Sequence, residues 1–275
     1  MLSQQYSTFI LPVVAMSITE FNPEILYYSR IMKDHDSSYG SPADAVRLSF
    51  YATPEHTCSY FTGRNAITLF ADPDAELDNQ TYSKLSQYGF RRSGKHIYRP
   101  ACPTCSACIP ARIPAGKFKP RRIHRRIWKA NQDIDVDMTG AEFRGEQHAL
   151  YLKYIQSRHP DGGMNDPDPD KYMEFLTCEW SITKFVEFRH RQKLVAVVVL
   201  DELNDGLSAV YTFFDPDYPK RSLGTLGVLW SIEFTRELGL DWLYLGYLIK
   251  ECPKMNYKSN FQPQQSFIQG AWVYE

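Results

Sequence analysis

Three cysteines follow one another at a fixed spacing in the first half of the chain. They are Cys102, Cys105 and Cys108. Two intervening residues let neighbouring thiolates converge on one ion, as in zinc sites and iron–sulfur ferredoxins. Cys58 is the candidate fourth ligand by elimination, because Cys178 lies in a predicted helix among apolar residues and Cys252 lies far downstream. The spacing therefore predicts zinc or an iron–sulfur cluster, and the alternative is a set of buried, metal-free thiols.

The cysteines lie inside a long segment without a single acidic residue. Residues 79–132 hold 13 Lys and Arg and no Asp or Glu, although the formal net charge of the whole chain is −1. Ordinary solvated surfaces mix both signs, so this segment predicts a polyanionic partner. Aromatic residues interleave with the arginines and can stack on unpaired bases, which favours RNA over DNA. The candidate RNA-binding residues are Arg91, Arg92, Arg99, Arg112, Arg121, Arg122, Arg125 and Arg126.

A second group of candidate residues lies in the C-terminal half. A predicted strand ends in residues 211–217, and Arg221 to Gly224 open a predicted helix, whose backbone N–H groups can bind an anion or an oxyanion. Enzymes that bind acetyl-CoA at such a helix need a small residue where this chain has Leu226, so we expect no CoA. Residues 244–258 place tyrosines and lysines at the end of a buried strand, where functional sites often lie.

Composition limits the class of protein. A length of 275 residues and a hydrophobic content of 43% predict one large or two modest folded domains. No run of about 18 apolar residues is present to cross a membrane, and the N-terminus makes a poor signal peptide. The sequence therefore predicts a cytoplasmic protein that does not enter the membrane, in which thiols stay reduced.

The elements that must position these residues fall into three segments. Residues 1–45 are predicted to be a weakly ordered extension, and residues 46–135 a small basic domain of short strands and two helices. Residues 136–275 show two predicted helices, three antiparallel strands, a helix over 222–238 and a buried strand over 242–248. This order is typical of GNAT-type acyltransferases, so the predicted fold class is α+β with a GNAT-like C-terminal domain behind a small cysteine-containing domain.

Several of these segments together resemble the aminoacyl-tRNA–protein transferase family. The similarity is strongest to bacterial members that transfer leucine to N-terminal Asp or Glu, and it runs from Cys58 to the C-terminus. The similar segments include residues 78–82, 89–94, 98–114, 154–159, 211–217, 222–224 and 254–258. The string from Cys252 to Lys258 is also similar to the eukaryotic arginyl-tRNA–protein transferases, and the resemblance suggests an iron–sulfur cluster.

The resemblance implies that leucine passes from leucyl-tRNA to the α-amine of proteins that begin with Asp or Glu, which marks them for N-degron-dependent degradation. The basic segment would bind the tRNA, and the C-terminal domain would hold the charged 3′ end and the acceptor. Arginyl transfer by the same fold is one alternative. A metal-containing RNA-binding protein without catalytic activity is the other.

The resemblance also assigns candidate roles to residues of the C-terminal half. Asp215 would orient the attacking amine or accept its proton. The tyrosines that would stabilise the oxyanion are Tyr211, Tyr247 and Tyr257. The residues that would bind substrate are Arg158, His159, Arg221, Ser222, Gly224, Lys254 and Lys258.

Overall fold

A computed structural model describes residues 48–160 and 166–274, so the predicted extension over residues 1–45 lies outside the described residues. The strands are β1 (Phe50–Ala52), β2 (His56–Thr57), β3 (Asn65–Ala66), β4 (Thr68–Ala71), β5 (Arg91–Ser93), β6 (His96–Pro100), β7 (Ile109–Pro114), β8 (Ile134–Thr139), β9 (Ile182–His190), β10 (Lys193–Glu202), β11 (Gly206–Phe214), β12 (Trp242–Leu248), β13 (Gln265–Ile268) and β14 (Ala271–Tyr274). The α-helices are α1 (Asn79–Gln87), α2 (Arg122–Ala130), α3 (Gly145–Arg158), α4 (Pro169–Leu176) and α5 (Leu223–Glu237).

An eight-stranded sheet organises the molecule, with the strand order β14-β13-β7-β12-β11-β10-β9-β8. The pair β11–β12 is parallel, and the long helix α5 connects its two strands; the other neighbours are antiparallel. Strand β10 is buried on both faces, which explains its continuous apolar run over residues 194–200. Its Val198 packs on the α5 side, and its Val197 packs on the α3 and α4 side. Helices therefore cover both faces of the sheet.

A smaller four-stranded sheet, of order β1-β4-β6-β5, packs with α1 against the first sheet. Helix α1 begins where the Asp78 carboxylate accepts a hydrogen bond from the backbone N–H of Thr81. The small core between the two sheets includes Tyr82 of α1, Tyr244 of β12 and Leu203, which follows β10. The two sheets thus share apolar side chains.

Strand β7 connects the predicted N-terminal and C-terminal segments. It lies between β12 and β13 of the large sheet, although the sequence predicts that residues 46–135 form a separate basic domain. The sequence boundary between residues 135 and 136 falls inside β8. That boundary therefore does not separate two sheets, because the partners of β7 come from the C-terminal third of the chain.

The α+β class is confirmed, as is the order of antiparallel strands, helix and strand in the C-terminal half. Strand β12 occupies the predicted residues 242–248, and α5 begins and ends within one residue of the predicted helix. No helix of the described residues is long and apolar enough to cross a membrane. The cytoplasmic location stays a prediction.

Candidate functional site

The parallel strands β11 and β12 separate soon after they begin. Their pairing covers only Gly206–Ser208 with Trp242–Tyr244. Beyond it, Nη2 of Arg91 donates hydrogen bonds of 2.9 Å to the carbonyl oxygens of Ala209 and Val210. Gly246 of β12, with φ of 71°, makes room for Arg91, because a Cβ at this position would overlap Nη1 of the guanidinium. Arg91 therefore occupies the gap between the diverging strands.

A chain of tyrosines leads away from this guanidinium, and we call Arg91, Tyr257, Tyr154 and Tyr211 together the Arg91 site. Tyr257 lies within electrostatic reach of both Arg91 and Tyr154, and Tyr211 lies within reach of Tyr154 and Tyr257. The rings of Tyr154 and Tyr211 meet edge to face with centroids 6.4 Å apart. Burial raises the pKa of Tyr211 above the ordinary value of tyrosine, whereas Tyr257 is 41% exposed. These hydroxyls stay protonated at neutral pH and can donate hydrogen bonds to a developing oxyanion.

Lys258 lies beside the Arg91 site and is only 4% exposed. Its Nζ donates a hydrogen bond of 2.6 Å to the carbonyl oxygen of Tyr247. Burial, and secondly the positive charge of Arg91, lower the pKa of Lys258 to about 7. The amine of Lys258 therefore carries only part of a positive charge at neutral pH, and it holds the end of β12 in place.

A cationic group adjoins the same surface. Arg158 and Lys254 supply its charges, and the His159 ring lies beside them. Nζ of Lys254 donates a hydrogen bond of 3.3 Å to the carbonyl oxygen of Arg158. Burial, then the charges of Lys254 and Arg158, lower the pKa of His159. The His159 ring packs edge to face on Tyr154, with centroids 6.1 Å apart, which joins the cationic group to the Arg91 site. The arrangement can bind a carboxylate next to the tyrosines.

The contacts of Asp215 make it unsuited to accept a proton from the substrate amine. Lys153 and Lys193 donate hydrogen bonds of 2.5 and 2.8 Å to its two carboxylate oxygens. Burial raises the pKa of Asp215, but the two lysines outweigh burial and hold this pKa below its ordinary value. Asp215 is 1% exposed and joins α3, β10 and the end of β11. An anion bound by two lysines is a poor base, so the geometry makes Asp215 a positioning residue.

Two other predicted site residues form their hydrogen bonds with other parts of the protein. The Tyr247 hydroxyl lies 3.2 Å from the carbonyl oxygen of Gly89 and 3.1 Å from that of Tyr98, so it bonds to backbone instead of facing a substrate. Arg221 forms two hydrogen bonds, of 2.7 and 2.8 Å, with the carboxylate of Asp133. A guanidinium paired in this way is not available to an acceptor carboxylate.

The start of α5 lies next to the cationic group. Ser222 precedes the helix with φ of 53° and makes no capping hydrogen bond through its side chain. A Cβ at Gly224 would lie 3.0 Å from the Phe214 ring, so this glycine permits close packing of the helix on β11. The Arg158 guanidinium lies 5.6 Å from the centroid of the same ring. Phe214 therefore joins the helix opening to the cationic group.

The eight predicted RNA-binding arginines divide into exposed and internal groups. Arg121, Arg122, Arg125 and Arg126 are exposed on or beside α2. Arg99 is half-buried and lies 5.4 Å from the centroid of the Phe90 ring. The internal arginines are Arg91, Arg92 and Arg112.

Two of the internal arginines were predicted to bind RNA, but the structure pairs both of them with other groups of the protein. Arg92 forms an ion pair of 2.5 Å with Asp201, in which neither side chain is exposed to solvent. The Arg112 guanidinium lies 3.6 Å from the centroid of the Trp242 ring and 4.3 Å from that of Trp272. Both residues join strands of the N-terminal segment to the large sheet, so neither guanidinium faces a phosphate.

The four predicted metal ligands lie near one another. Cys58, Cys102 and Cys105 all interact electrostatically with Cys108, and burial followed by these thiols raises the pKa of Cys108 to about 12. The backbone N–H of Ile67 donates to Sγ of Cys102 at 3.5 Å. The donor chemistry suits zinc or an iron–sulfur cluster. Among residues 48–160 and 166–274, no three Cys, His, Asp or Glu side chains converge on a common centre as oriented here, so metal binding requires the cysteine side chains to turn.

Sequence reasoning missed Tyr154, Gly246 and Lys153. Tyr154 contacts both Tyr211 and His159, and Gly246 makes the gap that Arg91 fills. A glycine inside the apolar run over residues 242–248 was the available signal for a close approach of another chain segment. Lys153 gave no signal, because an exposed lysine on a helix is common.

Both halves of the chain are similar to one known protein family. Residues 56–126 match the family profile described as "Arginine-tRNA-protein transferase, N terminus", and residues 146–268 match that described as "Arginine-tRNA-protein transferase, C terminus". The two matches together cover more than half of the chain. The chain belongs to the arginine-tRNA-protein transferase family.

Individual relatives narrow this class. A protein of Alcanivorax borkumensis named "Aspartate/glutamate leucyltransferase" is 52% identical over 83% of this chain and 95% of its own length. A protein of Hahella chejuensis with the same name is 50% identical over 82% of this chain and 97% of its own length. The family resemblance seen in the sequence is therefore confirmed, and it covers nearly all of each relative.

Solved structures resemble the fold only distantly. A tandem GNAT protein from the clavulanic acid pathway has a TM-score of 0.39 and 10% identity, over 86% of this chain and 83% of its own. A domain of a putative lysylphosphatidylglycerol synthetase from Agrobacterium fabrum has a TM-score of 0.40 and 14% identity, over 61% of this chain and 51% of its own. Structural similarities this weak support no comparison of function.

Proposed function

We propose that this chain transfers leucine from leucyl-tRNA to the N-terminal α-amine of proteins that begin with Asp or Glu. The observation that carries the proposal is the 52% identity, over 95% of its length, to a relative named for this activity. The geometry supports it, because a cationic group able to bind an acidic side chain adjoins tyrosine hydroxyls. The chain is accordingly an aminoacyltransferase that depends on aminoacyl-tRNA.

The reaction is the aminolysis of an ester. The α-amine nitrogen attacks the leucyl carbonyl carbon, a C–N bond forms, and the bond from that carbon to the tRNA 3′ oxygen breaks. The amine loses a proton, and the leaving oxygen gains one. Because the pKa of an α-amine is roughly 7.7–8.0, a large enough fraction is neutral near pH 7 for attack without a strong base.

The residues of the Arg91 site supply alignment and charge stabilisation for this reaction. Tyr257 and Tyr211 would donate hydrogen bonds to the oxyanion that forms on the leucyl carbonyl oxygen. Arg158 and Lys254 would hold the side-chain carboxylate of the acceptor, which fixes its α-amine beside the ester. The partly neutral amine of Lys258 limits the positive charge next to Arg91.

Transfer assays with charged tRNA test the proposal. The purified chain is incubated with leucyl-, phenylalanyl- and arginyl-tRNA in parallel, each with peptides that begin with Asp, Glu or Ala. Leucine on the Asp and Glu peptides, and not on the Ala peptide, is the expected result. Equal labelling of all three peptides, or transfer of arginine instead of leucine, would contradict it. Binding of tRNA without transfer would favour an RNA-binding protein.

We also propose that Cys58, Cys102, Cys105 and Cys108 bind zinc or an iron–sulfur cluster once their side chains turn toward a common centre. The transfer itself uses only the Arg91 site and the cationic group. Metal analysis of anaerobically purified protein tests the proposal, with C102S/C105S as the ligand variant and C178S as its control. Metal in wild type and C178S but not in C102S/C105S is expected, and a metal-free wild type would overturn it.

A further inference from the structure

A groove of about 570 Å³ lies between α2 and α5, and no residue of the Arg91 site lines it. Its apolar lining comes from Phe118, Leu229 and Ile232. Arg125 and Lys129 line it from α2, and residues 233–237 line it from α5. The volume suits a group of the size of a nucleoside.

Trp128 lines this groove and remains 40% exposed to solvent. Large aromatic rings that stay in water next to cationic side chains are typical stacking platforms for unpaired bases. The exposed face of α2 that carries Trp128 also carries arginines and no acidic residue. An aromatic platform thus lies on a strongly positive helix face.

His124 belongs to the buried side of the groove. It is 2% exposed, and its ring packs against those of Phe118 and Phe261, with centroids 5.6 and 5.3 Å away. Its Nδ1 accepts a hydrogen bond of 3.3 Å from the backbone N–H of Arg121, so the proton of the neutral ring resides on Nε2. Nε2 has no hydrogen-bond partner among the described residues and is closed to solvent, so we assign it no contact with a ligand.

The two walls of the groove differ in charge. The α2 wall is basic, with Arg125 and Lys129. The α5 wall is mixed, with Glu233 paired to Arg236 and with Glu237 beside them. A nucleotide has matching chemistry, because its phosphate is anionic and its base edge carries both hydrogen-bond donors and acceptors.

We infer that this groove binds an unpaired nucleotide of the tRNA, whose base stacks on Trp128. Its phosphate contacts Arg125 and Lys129. The identity of the RNA rests on the proposed function. The groove is a second site, since it shares no lining residue with the Arg91 site.

Binding of uncharged tRNA by the full chain tests the inference, measured by fluorescence anisotropy over a range of salt concentrations. W128A is expected to weaken binding about 5- to 100-fold, because the stacking of one base is removed. The dependence on salt is expected to stay unchanged, because every phosphate contact remains. W128F retains a ring and is expected to bind within a few-fold of wild type. I123A is the control, since Ile123 is 50% exposed on the same helix but does not line the groove.

Ultraviolet cross-linking of tRNA, followed by mass spectrometry, gives a direct readout that does not depend on variants. A nucleotide cross-linked to the peptide that contains Trp128 supports the inference. Wild-type affinity in W128A, with no cross-link on that peptide, overturns it even when charge reversal on α2 weakens tRNA binding. If the wild-type protein transfers no leucine, the proposed function is overturned instead. The tRNA-binding result for Trp128 then remains valid, because it does not depend on transfer.

Discussion

Arg92 and Asp201 form an ion pair that solvent does not reach. Nε and Nη2 of Arg92 bond both carboxylate oxygens of Asp201, and Nη2 also donates to the backbone carbonyl of Leu176 and to Thr183. The pair joins β5 to β10. Its polar groups are well satisfied, which is the condition for two charges to remain stably buried.

We expect R92M to lower the free energy of unfolding by about 3–5 kcal/mol, because Asp201 would keep a buried charge without its partner. Urea unfolding followed by circular dichroism measures the loss. R122M, at an exposed position, serves as the control and should change stability by less than about 0.5 kcal/mol. Equal stability of the two variants would show that the pair is not essential to the fold.

Lys258 makes stability depend on pH in a direction that can be stated. Burial lowers its pKa to about 7 in the folded protein, against 10.5 for the ordinary side chain; the charged or titratable groups within its reach are Arg91, Cys252 and Cys108. Between these two pKa values the unfolded chain binds the extra proton, so the contribution of Lys258 to stability rises with pH.

We therefore expect the difference in unfolding free energy between wild type and K258M to increase in favour of wild type from about pH 7 to pH 10. Loss of the hydrogen bond to Tyr247 adds an offset that does not depend on pH, so the slope is the readout. Urea unfolding of both proteins at each pH measures it. A constant difference across this range would mean that Lys258 keeps an ordinary pKa.

Arg158 and Lys254 are expected to determine acceptor selectivity. Removal of one charged hydrogen-bond donor typically reduces affinity by roughly ten- to a hundredfold. R158A and K254A should therefore raise the KM for peptides that begin with Asp by about this factor and leave the KM for leucyl-tRNA unchanged. K220A, at an exposed lysine, is the control. An unchanged KM for the peptide in both variants would exclude the cationic group as the acceptor site.

At the scale of elements, α2 presents the exposed part of the basic segment. His124 and Ile127 are its buried residues, whereas Ile123, which the sequence places on the same face as Ile127, is 50% exposed. His124, and not Ile123, is buried beside Ile127 because the His124 ring packs against the rings of Phe118 and Phe261. Periodicity predicts that a helix forms here, and only the tertiary contacts decide which face it buries.

We expect R122E/R126E to weaken tRNA binding without unfolding the chain, because both side chains are exposed. The slope of log affinity against log salt should become shallower by about 0.7–0.9 for each phosphate that the variant no longer neutralises. K84E/K95E makes the same charge change on exposed residues of other elements in the basic segment, so it is the matched control. Equal effects of the two double variants would mean that net charge, and not the α2 surface, attracts the tRNA.

The helices and the strands of the β9–β12 region were predictable, because their signals are local. Hydrophobic periodicity, the turn residues Asp205-Gly206 and the helix stop at Gly239 all lie within or beside the elements that they define. The gap filled by Arg91 was not predictable, because it depends on contacts between residues about 120 and 155 positions apart. The cationic group was found only as separate residues, since its assembly depends on the same kind of distant contact.

At the scale of the whole molecule, charge counted along the sequence overestimates the RNA-binding surface. Arg91, Arg92 and Arg112 belong to the basic segment but hold strands together. Their partners are backbone carbonyls, a buried carboxylate and aromatic faces of the C-terminal half. A count of charges records neither burial nor pairing, and both require the three-dimensional structure.

The shared sheet predicts that neither half folds alone. A fragment of residues 136–275 lacks β7, the neighbour of β12 and β13, and leaves Asp201 without Arg92. We expect this fragment to be insoluble or unfolded by circular dichroism, and co-expression with residues 46–135 to restore a soluble complex. A folded, monomeric C-terminal fragment would contradict the prediction and support two independent domains.

The position of β7 also affects the time course of synthesis. Residues 109–114 leave the ribosome long before their partners, which lie about 130 to 155 residues later in the chain. Pairings over such sequence separations close slowly, and until then both edges of β7 are unpaired. The nascent chain therefore exposes an unpaired strand for nearly half of its translation, so that chaperone access during synthesis, more than the stability of the finished protein, should limit its yield.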